Sequence, residues 1–267
     1  MMIKRRAVFL DRDGTLTHPY HYPSRVEHLK LYDQIGPALR SLQDMGFALV
    51  VITNQSGIAR GYFTERDLEH LHGYLRDKLA ASGVHLDGIY YCPHHPDGII
   101  PELAIRCNCR KPEPGMLLQA ASDLNLDLDS SWFVGDILGD VEAGKRAGCH
   151  TILVDLLQNP QTDRRNDKNV MQHSAPHTSH NSNRVTSTIS SNFAPGSEPR
   201  PDAFIRTPTF VAPDTINALR IIQTVTRLEP ELNLTYQPAS WRISDNSEHS
   251  SIEELEVCSR SSIQQRQ

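Results

Sequence analysis

Short, unbroken apolar runs recur along the first part of the chain. Ala7-Val8-Phe9-Leu10, Phe47-Ala48-Leu49-Val50-Val51-Ile52, Trp132-Phe133-Val134 and Thr151-Ile152-Leu153-Val154 are all apolar on both alternating faces and end in turn or charged residues. Strands with that pattern are covered on both sides, as in a parallel sheet. Between them the period changes to that of a helix. Leu68, Leu71, Leu75 and Leu79 fall on one side of a stretch that Thr64 can cap, and four leucines so spaced are expected to pack on the sheet rather than bind anything. Met116, Leu117, Ala120 and Leu124 mark another helix, with Pro114 near its first turn. A further helical stretch ends around Gly148. The alternation predicts an α/β fold, a three-layer Rossmann-like parallel sheet with helices on both faces.

From about Gln158 to Asp202 the pattern dissolves into Asn, Ser, Thr, His, Pro and Arg with no sustained apolar face. Such a stretch has nothing to offset the entropy of ordering. His173, His177 and His180 lie within it and are expected to be solvated side chains. Thr207 to Val211 and Pro213 to Leu228, with Ile216, Leu219, Ile222 and Val225, read as a last strand and helix that rejoin the sheet. The expected organisation is one α/β domain over residues 1–157 and 203–228, a disordered polar insertion at 158–202, and a flexible C-terminal tail at 229–267.

Composition narrows the function classes. The chain has 267 residues and a net charge of −5, which gives no support to nucleic-acid binding. Its hydrophobic fraction of 38% is low, and the deficit lies in the second half, so the first half retains enough apolar sequence for a full core. No apolar stretch approaches a bilayer span, and Met1-Met2-Ile3-Lys4-Arg5-Arg6 lacks the apolar core of a signal peptide. A cytoplasmic protein without membrane association, and a monomer as the simplest assembly, are the expectations. Of five cysteines, three are arranged as Cys92-Pro93-His94 and Cys107-Asn108-Cys109. Three thiolates and one imidazole suit a closed tetrahedral Zn2+ site at Cys92, His94, Cys107 and Cys109, with His95 as an alternative fourth ligand. Cys149 and Cys258 read as ordinary thiols.

The chemistry gathers where apolar runs end. Asp11-Arg12-Asp13-Gly14-Thr15 follows the first run directly, so two carboxylates arrive together at a strand end. Strand alternation would send Asp11 and Asp13 to one face and Arg12 to the other. Thr53-Asn54-Gln55-Ser56-Gly57 follows the second run and offers a hydroxyl and backbone amides to phosphate oxygens. Arg110-Lys111-Pro112 places cations before a helix, and Gly135-Asp136 with Asp140 repeats the strand-then-acid arrangement. Turn chemistry alone does not explain four ordered stations, and together they outline a phosphoryl-transfer site.

With these blocks in view, the chain resembles the haloacid dehalogenase superfamily of aspartate-based phosphatases, and within it the branch acting on heptose bisphosphates. The match rests on Asp11 to Leu16, Thr53 to Gly61, Cys92-Pro93-His94-His95-Pro96, Cys107 to Pro112, and Gly135-Asp136 with Asp140, and it covers residues 7 to about 155. The resemblance implies a haloacid dehalogenase-like fold with a small zinc loop and a small-molecule sugar bisphosphate as substrate. It makes Asp11 the nucleophile and Asp13 the acid and base. Thr53 and Lys111 would stabilise the transferring phosphoryl group, with Asn54, Gln55 and Ser56 lining the same pocket. Mg2+ would sit on Asp11, Asp136 and the backbone carbonyl of Asp13. Arg110 would grip a second phosphate, and Tyr22 falls in the substrate loop, where His21 stands in place of the family's glycine. Asp140 would either orient Lys111 or only cap the following helix. Two alternatives stay open: a histidinol-phosphate phosphatase, and an inactive zinc-stabilised binding protein.

Overall fold

Alternation along β1 (Ala7–Leu10) decides which helix covers which side of the sheet. In the computed structural model, which describes residues 4–155 and 204–232, Val8 and Leu10 point into one apolar layer, Ala7 and Phe9 into the other, and all four are fully buried. The first layer is closed by α1 (Ile35–Asp44), α2 (Glu65–Ala80) and α5 (Thr215–Leu232), through Leu39 and Leu42, Leu71, Leu75 and Leu79, and Leu219 and Ile222. The second is closed by α3 (Gly115–Leu124) and α4 (Leu138–Ala147), through Met116, Leu117 and Ala120, and Ala143 and Ala147. Each large side chain removed from water in this way contributes about 1.5–3 kcal/mol of transfer free energy.

The remaining strands are β2 (Ala48–Asn54), β3 (Gly88–Cys92), β4 (Trp132–Gly135), β5 (His150–Val154) and β6 (Phe210–Ala212). They pair in parallel in the order β3-β2-β1-β4-β5-β6. This is the expected three-layer α/β fold. Because every strand runs the same way, the carboxyl ends of β1, β2, β3 and β4 open on one edge of the sheet. In open α/β sheets that edge is where ligands bind.

Several local features differ from the pattern along the chain. β3 and α1 were not resolved as elements by periodicity. β3 lies at the sheet edge and is only half-buried over Gly88–Tyr91, so it lacks a continuous apolar run. α1 starts after Gln34, which sits at φ 63° in the left-handed region without a capping side chain. The last strand begins at Phe210 rather than Thr207. The last helix runs to Leu232, past the expected start of the tail at 229, and Glu229 pairs with Arg6 at 3.1 Å. The polar stretch 158–202 with its three histidines, the tail from 233 on, and Cys258 lie outside the described residues. Among the described residues no helix is long and apolar enough to cross a membrane.

Candidate active site

β1 ends at Leu10, and the backbone of Asp11 is held to the neighbouring strand by donating to the Val134 carbonyl at 3.0 Å. That bond fixes the Asp11 carboxylate beside the end of β4. Lys111 reaches it from the loop before α3: its Nζ donates to Asp11 Oδ1 at 2.6 Å, lies 2.7 Å from Asp140 Oδ1, and donates to the Ile52 carbonyl at 2.9 Å. Lys111 is buried, and burial alone would favour its neutral form. Asp11 and Asp140 outweigh that and push its pKa above the ordinary lysine value. The ammonium is therefore aimed at Asp11 and closed off from bulk water.

Asp140 is placed for both of the roles left open for it. One oxygen meets Lys111, and the other accepts from the Ile137 N–H at 3.3 Å, ahead of α4. A helix N-terminus favours such a carboxylate.

Asp136 stands at the end of β4, and the Thr15 hydroxyl donates to it at 3.4 Å. Gly14 adopts φ +89°, and a Cβ there would collide with the Asp136 carboxylate. Only glycine allows the turn after Asp13 to lie against that acid. Asp11, Asp136 and Asp140 bring oxygens within 4.8 Å of one another. Burial first, and then the other carboxylates, push Asp11 up to about 8 despite Lys111. Burial and Asp140 push Asp136 up to about 6. One lysine stands against three acids whose raised pKa values show that they cannot all ionise without a further cation, and the donor set is all oxygen.

Asp13 departs from the alternation expected of a continuing strand. The chain turns after Leu10, and Arg12 does not point away: its Nε donates to Asp13 Oδ1 at 3.0 Å and its Nη2 to Asp13 Oδ2 at 2.7 Å. Gln55 Nε2 donates both to Asp13 Oδ2 at 3.1 Å and to Thr53 Oγ1 at 2.8 Å. Asn54 forms a two-way amide clamp on the backbone of Lys111, donating to its carbonyl and accepting from its N–H, each at 3.1 Å. Thr53 and Gln55 are buried and Ser56 half-buried. The block after β2 thus supports Asp13 and Lys111 as well as facing the pocket. Arg12, and His72 behind it, were not singled out from the sequence.

Beside this pocket the second cluster assembles. Cys92 ends β3, in register with Asn54 at the end of β2. Cys92 Sγ lies 3.5 Å from Cys107 Sγ, Cys107 3.2 Å from Cys109, and His94 Nδ1 3.7 Å from Cys92 and 3.4 Å from Cys109. A tetrahedral zinc ion with Zn–S bonds of ~2.3 Å spaces its sulfurs about 3.8 Å apart, so the four atoms need only a small expansion to hold one. The Cys107 thiol, above all, pushes the Cys92 thiol up. His95 turns elsewhere: the Asp97 N–H donates to its Nδ1 at 3.0 Å, and the Arg60 guanidinium lies 3.1 Å from the ring. Arg110 is half-buried and donates to the His94 carbonyl at 3.4 Å. Cys149 is buried apart from the cluster, and burial pushes its thiol up.

Tyr22 is half-buried and sits at φ 52°, a strained backbone for a residue with a Cβ. Its ring meets Tyr62 edge-on at 4.7 Å and packs on the small cluster of Ile58, Phe63 and Leu68. The Tyr22 ring thus anchors its loop on this cluster.

Comparison with known proteins agrees with this geometry. Residues 108–173 match the HAD-hydrolase-like family model. The chain is 50% identical over 145 residues to the D-glycero-beta-D-manno-heptose-1,7-bisphosphate 7-phosphatase of Yersinia pestis, covering 54% of this chain and 77% of that protein. It is 50% identical over 145 residues to the protein of the same name from Escherichia coli K12, covering 54% and 76%. Among solved structures it is similar to the D,D-heptose 1,7-bisphosphate phosphatase of B. bronchiseptica complexed with magnesium and phosphate, with a TM-score of 0.57, 26% identity, and coverage of 82% of this chain and 99% of that one. Fold, strand-end acids and half-identical relatives agree: the chain belongs to the D-glycero-beta-D-manno-heptose-1,7-bisphosphate 7-phosphatase family of HAD-like hydrolases.

Proposed function

We propose that this protein removes the 7-phosphate of D-glycero-D-manno-heptose 1,7-bisphosphate, in the biosynthesis of nucleotide-activated heptose. The observation that carries this reading is the buried Lys111 ammonium held between Asp11 and Asp140, with Asp13 and Asp136 alongside. Asp11 attacks the phosphorus and forms an aspartyl phosphate. Asp13 protonates the departing sugar oxygen, because an alkoxide leaves poorly without a proton, and then takes a proton from the water that hydrolyses the intermediate. Lys111 and Thr53 donate to the phosphoryl oxygens as charge develops on them. Arg110, with Tyr22, Asn54, Gln55 and Ser56 around the pocket, engages the rest of the sugar bisphosphate.

The residues fit a divalent cation, since one lets the acids around Asp11 and Asp136 ionise together and the donors are all oxygen. Mg2+ would be held by Asp11, Asp136 and the Asp13 carbonyl, and when bound it supplies the positive charge that lets carboxylates and phosphate share one site. The magnesium named in the B. bronchiseptica structure supports this choice. Cys92, His94, Cys107 and Cys109 fit Zn2+ in a closed structural role, fixing the loop that leads to Lys111. Four free cysteines among the described residues are compatible with a reducing, cytoplasmic compartment, and a monomer is the simplest assembly.

The test is Mg2+-dependent phosphate release from the heptose bisphosphate, identifying which phosphate leaves, with histidinol phosphate as comparison. Preferred loss of the 7-phosphate supports the reading. Preference for histidinol phosphate keeps the chemistry and changes the substrate, and no turnover of either would overturn it.

A further inference from the structure

Arg12 is wholly buried, unusual for a residue of this charge on a turn. Both edges of its guanidinium are engaged. One edge grips both oxygens of Asp13, at 3.0 and 2.7 Å. Nη1 meets His72 Nε2 at 3.1 Å. His72 lies on α2, sixty residues on, and is itself buried. Burial, then Arg12 and Arg76, hold the imidazole well below the ordinary histidine range, so the ring is neutral and accepts the guanidinium's hydrogen. The far side of His72 rests edge-on against Tyr91 of β3 at 5.8 Å. A chain of contacts therefore runs from the sheet, through α2, to one carboxylate.

We infer that Arg12, braced by His72, is the positioning residue that fixes the carboxylate plane of Asp13 for proton transfer. The inference rests on the reading of Asp13 as acid and base. A carboxylate has about four acceptor sites. On Oδ2, Arg12 Nη2 and Gln55 Nε2 fill two, at 2.7 and 3.1 Å. On Oδ1, Arg12 Nε fills one at 3.0 Å, and Thr17 Oγ1 approaches only to 3.5 Å. Oδ1 has acceptor capacity left, and it is the atom that handles the proton. In the first step the Oδ1 proton passes to the bridging sugar oxygen as the P–O bond breaks, its electron pair staying on that oxygen, and Asp13 becomes a carboxylate. In the second, Oδ1 takes a proton from water as the water oxygen bonds to phosphorus, and the Asp11–phosphate bond breaks to return the Asp11 carboxylate and free phosphate. Proton and charge balance over the cycle. A two-pronged guanidinium sets both the position and the plane of its partner, which an ammonium does not.

The test compares Arg12→Lys with wild type on two substrates, the heptose bisphosphate and para-nitrophenyl phosphate, whose nitrophenolate leaves without needing a proton. The first-turnover rate on the sugar substrate is expected to fall on the order of 10²-fold, the lower range of general acid catalysis, with KM within threefold. The burst of nitrophenolate from the aryl substrate is expected to stay within a few-fold, followed by slow steady turnover as the phosphoenzyme waits for its base. Equal losses in both first steps would reduce Arg12 to a structural residue, and no loss in either would remove the role. Because Arg12 is buried, His72→Leu and His72→Gln provide a second route. Gln retains an oxygen to accept from Arg12, so it is expected to recover most of the sugar-substrate rate that Leu loses; equal behaviour of the two would overturn the bracing role. If wild type turns over para-nitrophenyl phosphate but not the heptose bisphosphate, the substrate reading fails, and the same comparison then uses fructose 1,6-bisphosphate as the alkyl phosphate.

Discussion

Two clusters stand side by side at the carboxyl edge of the sheet and solve opposite problems. The acids Asp11, Asp136 and Asp140 are delivered by strand ends and a helix start, and a fixed lysine balances only part of their charge. The thiols of Cys92, Cys107 and Cys109 with His94 come mainly from loops, and their donor atoms converge on one another. The first arrangement is rigid in scaffold and unsatisfied in charge, which leaves it ready for phosphate and a cation. The second is built mainly from loops and complete in ligands, which leaves no position for a substrate. The comparison teaches that rigidity at the acids is inherited from the sheet, whereas rigidity at the loop has to be supplied by whatever the thiols bind.

If that division is right, the two clusters should fail differently. Asp11→Asn is expected to lower turnover by roughly 10⁴-fold or more while the melting temperature moves by only a few degrees, measured by phosphate release and calorimetry on one preparation; a large drop in melting temperature would break the distinction. Asp140→Asn, which leaves Lys111 with one charged partner, is expected to reduce kcat on the order of 10²-fold through misplacement of the ammonium, with the fold again intact. Cys107→Ser is expected to do the reverse. Zinc content by elemental analysis should fall, and stability should drop by about 3 kcal/mol, or roughly 10 °C for a domain of this size; unchanged melting with no zinc in either protein would remove the structural role.

The smallest expected effect concerns acid. Folded His72 is held below its ordinary pKa of 6.5, so below about pH 6.5 the unfolded chain binds a proton that the folded ring refuses. Stability contributed in this way is present above that pH and is lost as pH falls, with a limiting slope of about 1.4 kcal/mol per pH unit. Chemical denaturation of His72→Leu between pH 7 and 5.5 should give a flatter dependence than wild type, whatever its absolute stability.

The four stations were legible because each follows an apolar run that has to be a strand, and a parallel sheet brings such run-ends to one edge. The thiol cluster was legible from spacing, and the structure selects His94 over His95. β3 was hidden because an edge strand carrying Tyr90 and Tyr91 half-exposed has no period to read. Arg12 was misplaced because alternation was carried past Leu10, where the strand stops, and because its burial depends on His72, sixty residues away on another element. Local pattern encodes strand ends well; a charged side chain that is buried by distant partners leaves no local trace.

Lys111 lies two residues after Cys109, and Asn54 stitches the lysine's backbone to the sheet while the thiols anchor the other end of the same short span. A metal held by the thiols and the ammonium offered to the phosphate would thereby stand two peptide units apart. A chelator selective for Zn2+ over Mg2+ would therefore be expected to lower the melting temperature while turnover well below it persists, because Asn54 still holds the backbone of Lys111.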